Sequence, residues 1–155
     1  EGKLIPLEGD LKDVRGILPF DAFDIVTCNP PYKTANTGIL SERDSQQIAR
    51  HEILCTIFDV CRTASKLLKT GGKLCLCQRP ERLADVITAM RENNIEPKRL
   101  RMVGKNEKTA PWLFLIEGKK GSKPYMDIEP TLKVMDGEEF TKEVLQIYGN
   151  LPAVK

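Results

Sequence analysis

The chain has 155 residues, 41% hydrophobic and 30% charged, an ordinary globular composition that excludes a disordered, collagenous or coiled-coil protein and supports a core without disulfides or a structural metal. The formal charge of +2 conceals a division: residues 1–50 carry 6 basic and 8 acidic side chains, residues 51–125 carry 15 and 8, and residues 126–155 carry 3 and 6. A basic middle suits a polyanion such as RNA, although charge alone is more simply read as a solvated lysine-rich surface; no apolar run approaches the roughly 20 residues of a membrane span, so a soluble chain is expected.

Lys3 to Leu7 reads as a short strand that ends in the turn Glu8-Gly9-Asp10. Phe23 to Cys28 is a second strand, stopped at Asn29-Pro30-Pro31 because two prolines cannot continue a central ladder. The polar stretch Lys33 to Arg50 is too long for a simple connector and reads as a lid or binding loop. From about Glu52 to Lys69, Leu54, Ile57, Phe58, Cys61, Ala64 and Leu68 recur at helical spacing, and Gly71-Gly72 is expected to cap that helix. Lys73 to Cys77 follows as a strand with Cys75 and Cys77 on one face.

Pro80 suits a first helical position, and Leu83, Val86, Ile87 and Met90 line one face of a helix fraying at Asn93-Asn94. Leu100 to Val103 and Trp112 to Glu117 are two further strands, the second apolar enough to be central, with Trp112 in the core. Leu132 to Met135 and a helix from about Glu138 to Tyr148 complete the chain. Alternation at this spacing predicts an α/β fold with a largely parallel sheet.

The five cysteines, Cys28, Cys55, Cys61, Cys75 and Cys77, sit within apolar stretches and read as reduced thiols of a cytoplasmic protein. With His51 as the sole histidine and no zinc-knuckle spacing, no metal site is expected.

Asn29-Pro30-Pro31-Tyr32 is the most informative segment, because in open α/β sheets ligands bind beyond the carboxyl ends of strands. An exocyclic amine or an amide nitrogen has its lone pair delocalised and attacks poorly. Acceptors that take both of its hydrogens bend the nitrogen toward tetrahedral geometry in the transition state. The Asn29 side-chain oxygen and the Pro30 carbonyl suit that role, Pro31 helps aim the carbonyl, and Tyr32 can stack on a base. A rigid strand-to-loop turn is the structural alternative.

Residues Asp24 to Tyr32 resemble the catalytic motif of class I S-adenosylmethionine-dependent methyltransferases that act on planar nitrogens. Glu8-Gly9-Asp10-Leu11, Ala49-Arg50-His51-Glu52, Gly71-Gly72-Lys73-Leu74 and the run from Trp112 to Gly121 extend the resemblance to the bacterial tRNA(Val) adenine-37 N6-methyltransferase-like family. The resemblance implies a Rossmann-like sheet, S-adenosyl-L-methionine as cofactor and adenine N6 of RNA, most simply tRNA, as target. It further implies that Asn29, Pro30 and Tyr32 are catalytic and that Asp10, Leu11 and Asn29 hold the cofactor. Pro31, Tyr32, Lys33, Arg50 and His51 would then meet the substrate. Asp10 as a turn or capping residue, and Arg50 and His51 as a solvated helix start, are alternatives. Arg99, Arg101, Lys105 and Lys108 are the densest basic group and the best candidates for an RNA-facing patch.

Class I enzymes hold the cofactor with a glycine-rich turn after the first strand and an acidic residue after the second. Neither motif is present in these residues. By resemblance Lys3 to Leu7 is the third strand and Asp24 to Cys28 the fourth, so residues 1–155 read as one partial methyltransferase domain, its later part, starting without Met at Glu1. Such a fragment is expected to lack normal cofactor binding and activity by itself. Lys3 to Leu7 is expected to be displaced or paired elsewhere, and the exposed sheet edge to invite self-association. Glutamine methylation of a release-factor type, and a catalytically silent RNA- or partner-binding module, are the alternative functions.

Overall fold

A computed structural model describes residues 3–30 and 55–149. The expected loop Lys33 to Arg50, and with it Pro31, Tyr32, Arg50 and His51, lies outside the described residues.

The first strand, β1, is Phe23–Cys28. Helix α1, Ile57–Leu67, begins on a capping box: the Thr56 side chain accepts from the Asp59 N–H, and the Asp59 carboxylate accepts from the Thr56 N–H. That exchange satisfies two donors that the first helical turn would otherwise leave unpaired. Strand β2, Leu68–Gln78, follows without a break. The expected Gly71-Gly72 cap is therefore displaced: Leu68 is already extended, and Gly71, at φ +83°, lies within the strand. The positive φ has a use there. The β1–β2 register runs from Phe23 opposite Leu68 to Ile25 opposite Lys73, and the extra residues of β2 are absorbed in that irregularity.

Pro80–Arg82 forms a 3₁₀ turn with the proline at its start, as its fixed φ favours, and leads into α2, Leu83–Glu92. Strands β3, Ile95–Gly104, and β4, Leu113–Lys120, are both longer than the apolar patterns suggest. Pro97 is accommodated in β3 where the β3–β4 register shifts between Pro97 and Arg99. Strand β5 is Asp127–Lys133, a two-residue hairpin joins β6, Met135–Asp136, to β7, Glu139–Phe140, and α3, Lys142–Ile147, ends the described chain. The hairpin turns at Gly137 and takes the residues that the pattern assigned to a strand end and a helix start, so α3 is shorter than expected.

The sheet order is β1-β2-β4-β3-β5. Strand β4 is central, as its apolar run predicts. Pairings β1–β2 and β3–β5 are parallel, whereas β2–β4 and β3–β4 are antiparallel, so the sheet is mixed and not largely parallel. The cause is local: residues 105–112 join β3 directly to its neighbour β4, and strands joined without a crossover helix run antiparallel.

Helices α1 and α2 cover one face. Leu74, Leu76, Phe114, Ile116 and Leu100 point into the core they share with Val60, Cys61, Ala64, Val86, Ala89 and Met90. The alternate residues Lys73, Cys75, Cys77, Leu115 and Glu117 occupy the other face, where a shallow groove of about 420 Å³ runs across the sheet.

The expected strand Lys3 to Leu7 is not formed: its residues make no sheet pairing and Leu4, Ile5 and Leu7 are exposed. Among the described residues β1 is consequently an edge strand. Trp112 is 43% exposed at the entrance to β4 and not a core residue. No helix among the described residues is long and apolar enough to cross a membrane.

Candidate active site

Strand β1 delivers Asn29 and Pro30 to its own carboxyl end. Cys28 pairs with Leu76 in the parallel ladder, so the next residue, Asn29, emerges beside Cys77. The Asn29 side-chain oxygen accepts a hydrogen bond from the Cys77 thiol at 3.1 Å. Asn29 is exposed and Pro30 is buried, so the ring is anchored while the carboxamide faces outward. A polar acceptor is thus fixed at the position where α/β sheets bind ligands.

The segment before β1 is tied to α1. The Thr63 hydroxyl of α1 donates to the Leu11 carbonyl at 2.8 Å. Asp10 forms a turn: its Oδ1 accepts from the Lys12 N–H at 2.9 Å, and its carbonyl accepts from the Asp13 N–H at 2.9 Å. This is the turn role that Gly-Asp chemistry favours, with the carboxylate left exposed to solvent.

Electrostatics connects these parts. Burial pushes the Cys55 thiol up, and Asp59 and Asp10 add to that effect against the opposing charge of Lys12. Burial also raises the Cys28 thiol, with Cys55 and Cys77 adding to it. Cys55 thus feels the charge of Asp10, and Cys28 that of Cys55.

The basic group separates into two parts. Arg99 pairs with Glu129 at 2.5 Å and Glu117 at 3.8 Å on the open face, and Arg101 pairs with Glu143 at 2.7 Å. Lys105 and Lys108 are exposed in the loop between β3 and β4. The four residues are not one unpaired cationic patch, because acidic neighbours from β4, β5 and α3 answer the two arginines. No spacing in the sequence marks those acids, which lie 18 to 42 residues away in the chain, or Cys77 as a partner of Asn29. The shared face of Cys75 and Cys77 was readable from their spacing; the parallel register that sets Cys77 beside Asn29 was not.

No family model and no curated protein matches the sequence. Solved structures do match. A predicted O-methyltransferase of Agrobacterium tumefaciens superposes with a TM-score of 0.72 at 22% identity, over 93% of this chain and 62% of that one. A predicted DNA modification methylase of Thermus thermophilus superposes at 0.51 with 18% identity, over 76% of this chain and 54% of that one. The fold is the Rossmann-like fold of class I methyltransferases. The chain spans less than two thirds of the length of either protein.

Proposed function

We propose that the protein carrying this chain is an S-adenosyl-L-methionine-dependent methyltransferase that modifies the exocyclic amine of adenine in RNA, with tRNA as the expected substrate. The observation that supports this reading best is the outward-facing Asn29 carboxamide at the end of β1, directly before Pro30, in a methyltransferase-type sheet.

In this reading Asn29 Oδ1 and the Pro30 carbonyl accept the two amine hydrogens and localise the nitrogen lone pair, a gain realised mainly in the transition state. Tyr32 stacks on the base, Pro31 fixes the backbone between them, and Lys33, Arg50 and His51 contact the flanking phosphates. The bound cofactor supplies an electrophilic methyl group. Methylation leaves the nitrogen as an acidic ammonium, which loses its proton to water, so no strong general base is needed.

The residues present fit only part of the cofactor. Asp10 has an exposed carboxylate for an adenine amine, with the Leu11 backbone beside it, while no glycine-rich turn or ribose-holding acid occurs in these 155 residues. The isolated chain is accordingly proposed to lack micromolar affinity for S-adenosyl-L-methionine; calorimetry showing such affinity would overturn this.

The function is tested with the full-length protein and methyl-tritiated cofactor, offered total tRNA, DNA and a peptide release factor. Label in tRNA that disappears in Asn29→Ala supports the proposal. Label in the release factor alone selects the glutamine alternative, label in DNA alone removes RNA as substrate, and no transfer to any of them favours a silent binding module.

A further inference from the structure

We propose that the loop from Lys105 to Trp112, between β3 and β4, grips single-stranded RNA beside the target adenine, with Trp112 stacking on a neighbouring base and Lys105 and Lys108 meeting its phosphates. The inference rests on the reading of Asn29 given above and deepens it by placing the rest of the substrate.

Sheet register brings the loop to the relevant end. Strands β1 and β2 run parallel, and Asn29 leaves β1 beside Cys77. Strand β4 runs against β2, with Cys77 opposite Leu115 and Gln78 opposite Phe114, so β4 begins where β1 and β2 end. Trp112 precedes β4 by one residue and lies at that same end. Two strand spacings of about 4.8 Å across and three residues of about 3.4 Å along put its backbone about 14 Å from that of Asn29. Nucleotides flanking an extruded base pass within that reach.

The charge of the loop is unanswered where that of the neighbouring arginines is not. Glu117, Glu129 and Glu143 pair with Arg99 and Arg101. The one acid of the loop, Glu107, is taken by Lys133 of β5. Lys105 and Lys108 are exposed, and neither has a carboxylate partner among the described residues. Two such ammonium groups suit phosphates, which fix the path of a strand without reading its bases.

Trp112 is the sole tryptophan of these 155 residues and is 43% exposed, yet its backbone is held. Its N–H donates to the Val103 carbonyl at 3.1 Å and closes the hairpin. Within the loop, Asn106 Oδ1 accepts from the Lys108 N–H at 3.0 Å and from the Thr109 hydroxyl at 3.3 Å, and the Lys105 carbonyl accepts from the Met135 N–H at 2.9 Å. An indole mounted this way offers a stacking face at small entropic cost. A single ring bordered by cations is too small an apolar surface for a protein partner, whereas a base between phosphates presents the matching pattern. The bases of a duplex stack on one another, so the strand must be single.

The test uses the full-length protein and compares Trp112→Ala, Trp112→Phe, the double variant Lys105→Ala/Lys108→Ala, and Asn29→Ala. Methyl transfer is measured on total tRNA and binding on single-stranded oligoadenylate. Trp112→Ala should weaken oligoadenylate binding about 5- to 150-fold, the loss of one base stack, and raise KM for tRNA while kcat stays within about twofold. Trp112→Phe keeps a ring and should recover most of the affinity. In the double lysine variant the slope of log affinity against log salt should become shallower by about 1.4, about 0.7 for each phosphate contact. With 5-fluorotryptophan incorporated, the fluorine signal that vanishes in Trp112→Phe should shift on adding oligoadenylate and stay in place on adding duplex RNA. Should Trp112→Ala fail to fold, the salt slope and the fluorine shift decide.

Transfer to tRNA that requires Asn29, beside unchanged affinity in Trp112→Ala and an unchanged slope in the lysine variant, overturns the role of the loop and leaves the function intact. Equal weakening in the alanine and phenylalanine variants without a fluorine shift assigns Trp112 to the stability of the hairpin and overturns it too. Label in the release factor alone, or none in tRNA, overturns the reading of the site and the role of the loop with it.

Discussion

The ammonium of Lys120, at the end of the central strand β4, lies 2.6 Å from the Asp21 carboxylate and 2.8 Å from the Leu68 carbonyl. One side chain thereby joins the entry to β1, the start of β2 and the end of β4, across 99 residues of sequence. The Lys120 side chain is 14% exposed and that of Asp21 is 71% exposed, so the two partners are not equivalent.

Replacing Lys120 by Met keeps the apolar stem but leaves the Leu68 carbonyl without this donor. The expected cost in urea unfolding is about 1–2 kcal/mol, whereas Asp21→Ala, at a solvated partner, should cost under about 1 kcal/mol. Equal costs would show that the ion pair dominates and the carbonyl contact is incidental.

The Thr56–Asp59 capping box gives a pH-dependent prediction. Partial burial pushes the Asp59 carboxyl up, but the hydrogen bonds from the Thr56 N–H and hydroxyl, together with Arg62 and Lys12, outweigh it and hold the group below its ordinary value of 3.8. A depressed carboxyl stabilises the fold above the unfolded-state value near 3.8, and that stabilisation is lost as the pH falls through the folded-state value. Thr56→Ala should therefore cost about 1 kcal/mol at pH 7 and measurably less near pH 3. Denaturant titrations at the two pH values check this, and an unchanged cost would mean that the ionised carboxylate contributes nothing to the cap.

The same sites show which features the sequence made legible. The capped helix was readable because its apolar residues recur at fixed spacing, and β1 because two prolines stop it. Trp112 was misplaced because indole hydrophobicity says nothing about whether a residue falls just before or inside a strand. The mixed sheet was legible in principle, since the eight residues between β3 and β4 are too few for a crossover helix, but the strand–helix alternation earlier in the chain points to parallel pairing and masks it. Asn29 was legible as a motif, while its hydrogen bond to Cys77 depends on strand register, a tertiary property.

Gly118 tests how tightly the centre of the sheet meets α2. A Cβ built there would lie 2.6 Å from Ile95 Cγ2 and 3.0 Å from Met90 Sδ, and both neighbours are fully buried. Gly118→Ala should cost about 1–3 kcal/mol, because a close-packed interior accommodates an added methyl only by shifting its neighbours. In an Ile95→Ala background, where the nearest atom is gone, the additional cost of Gly118→Ala should fall below about 1 kcal/mol. A fully additive pair would place the strain elsewhere.

Cys61 supplies a chemical test of the core. It is fully buried on the sheet-facing side of α1, and burial, with a smaller contribution from Cys28, pushes its thiol up to about 12. Alkylation requires the thiolate and access to it, and the fold denies both. With iodoacetamide at pH 8, Cys61 should remain unlabelled in the native protein over a period that labels the partly exposed Cys77, and should react once urea has unfolded the chain. Peptide mass spectrometry distinguishes the five sites. Native labelling of Cys61 as fast as Cys77 would mean that α1 opens from the sheet often enough to expose the core, and the packing described for that face would then have to be revised.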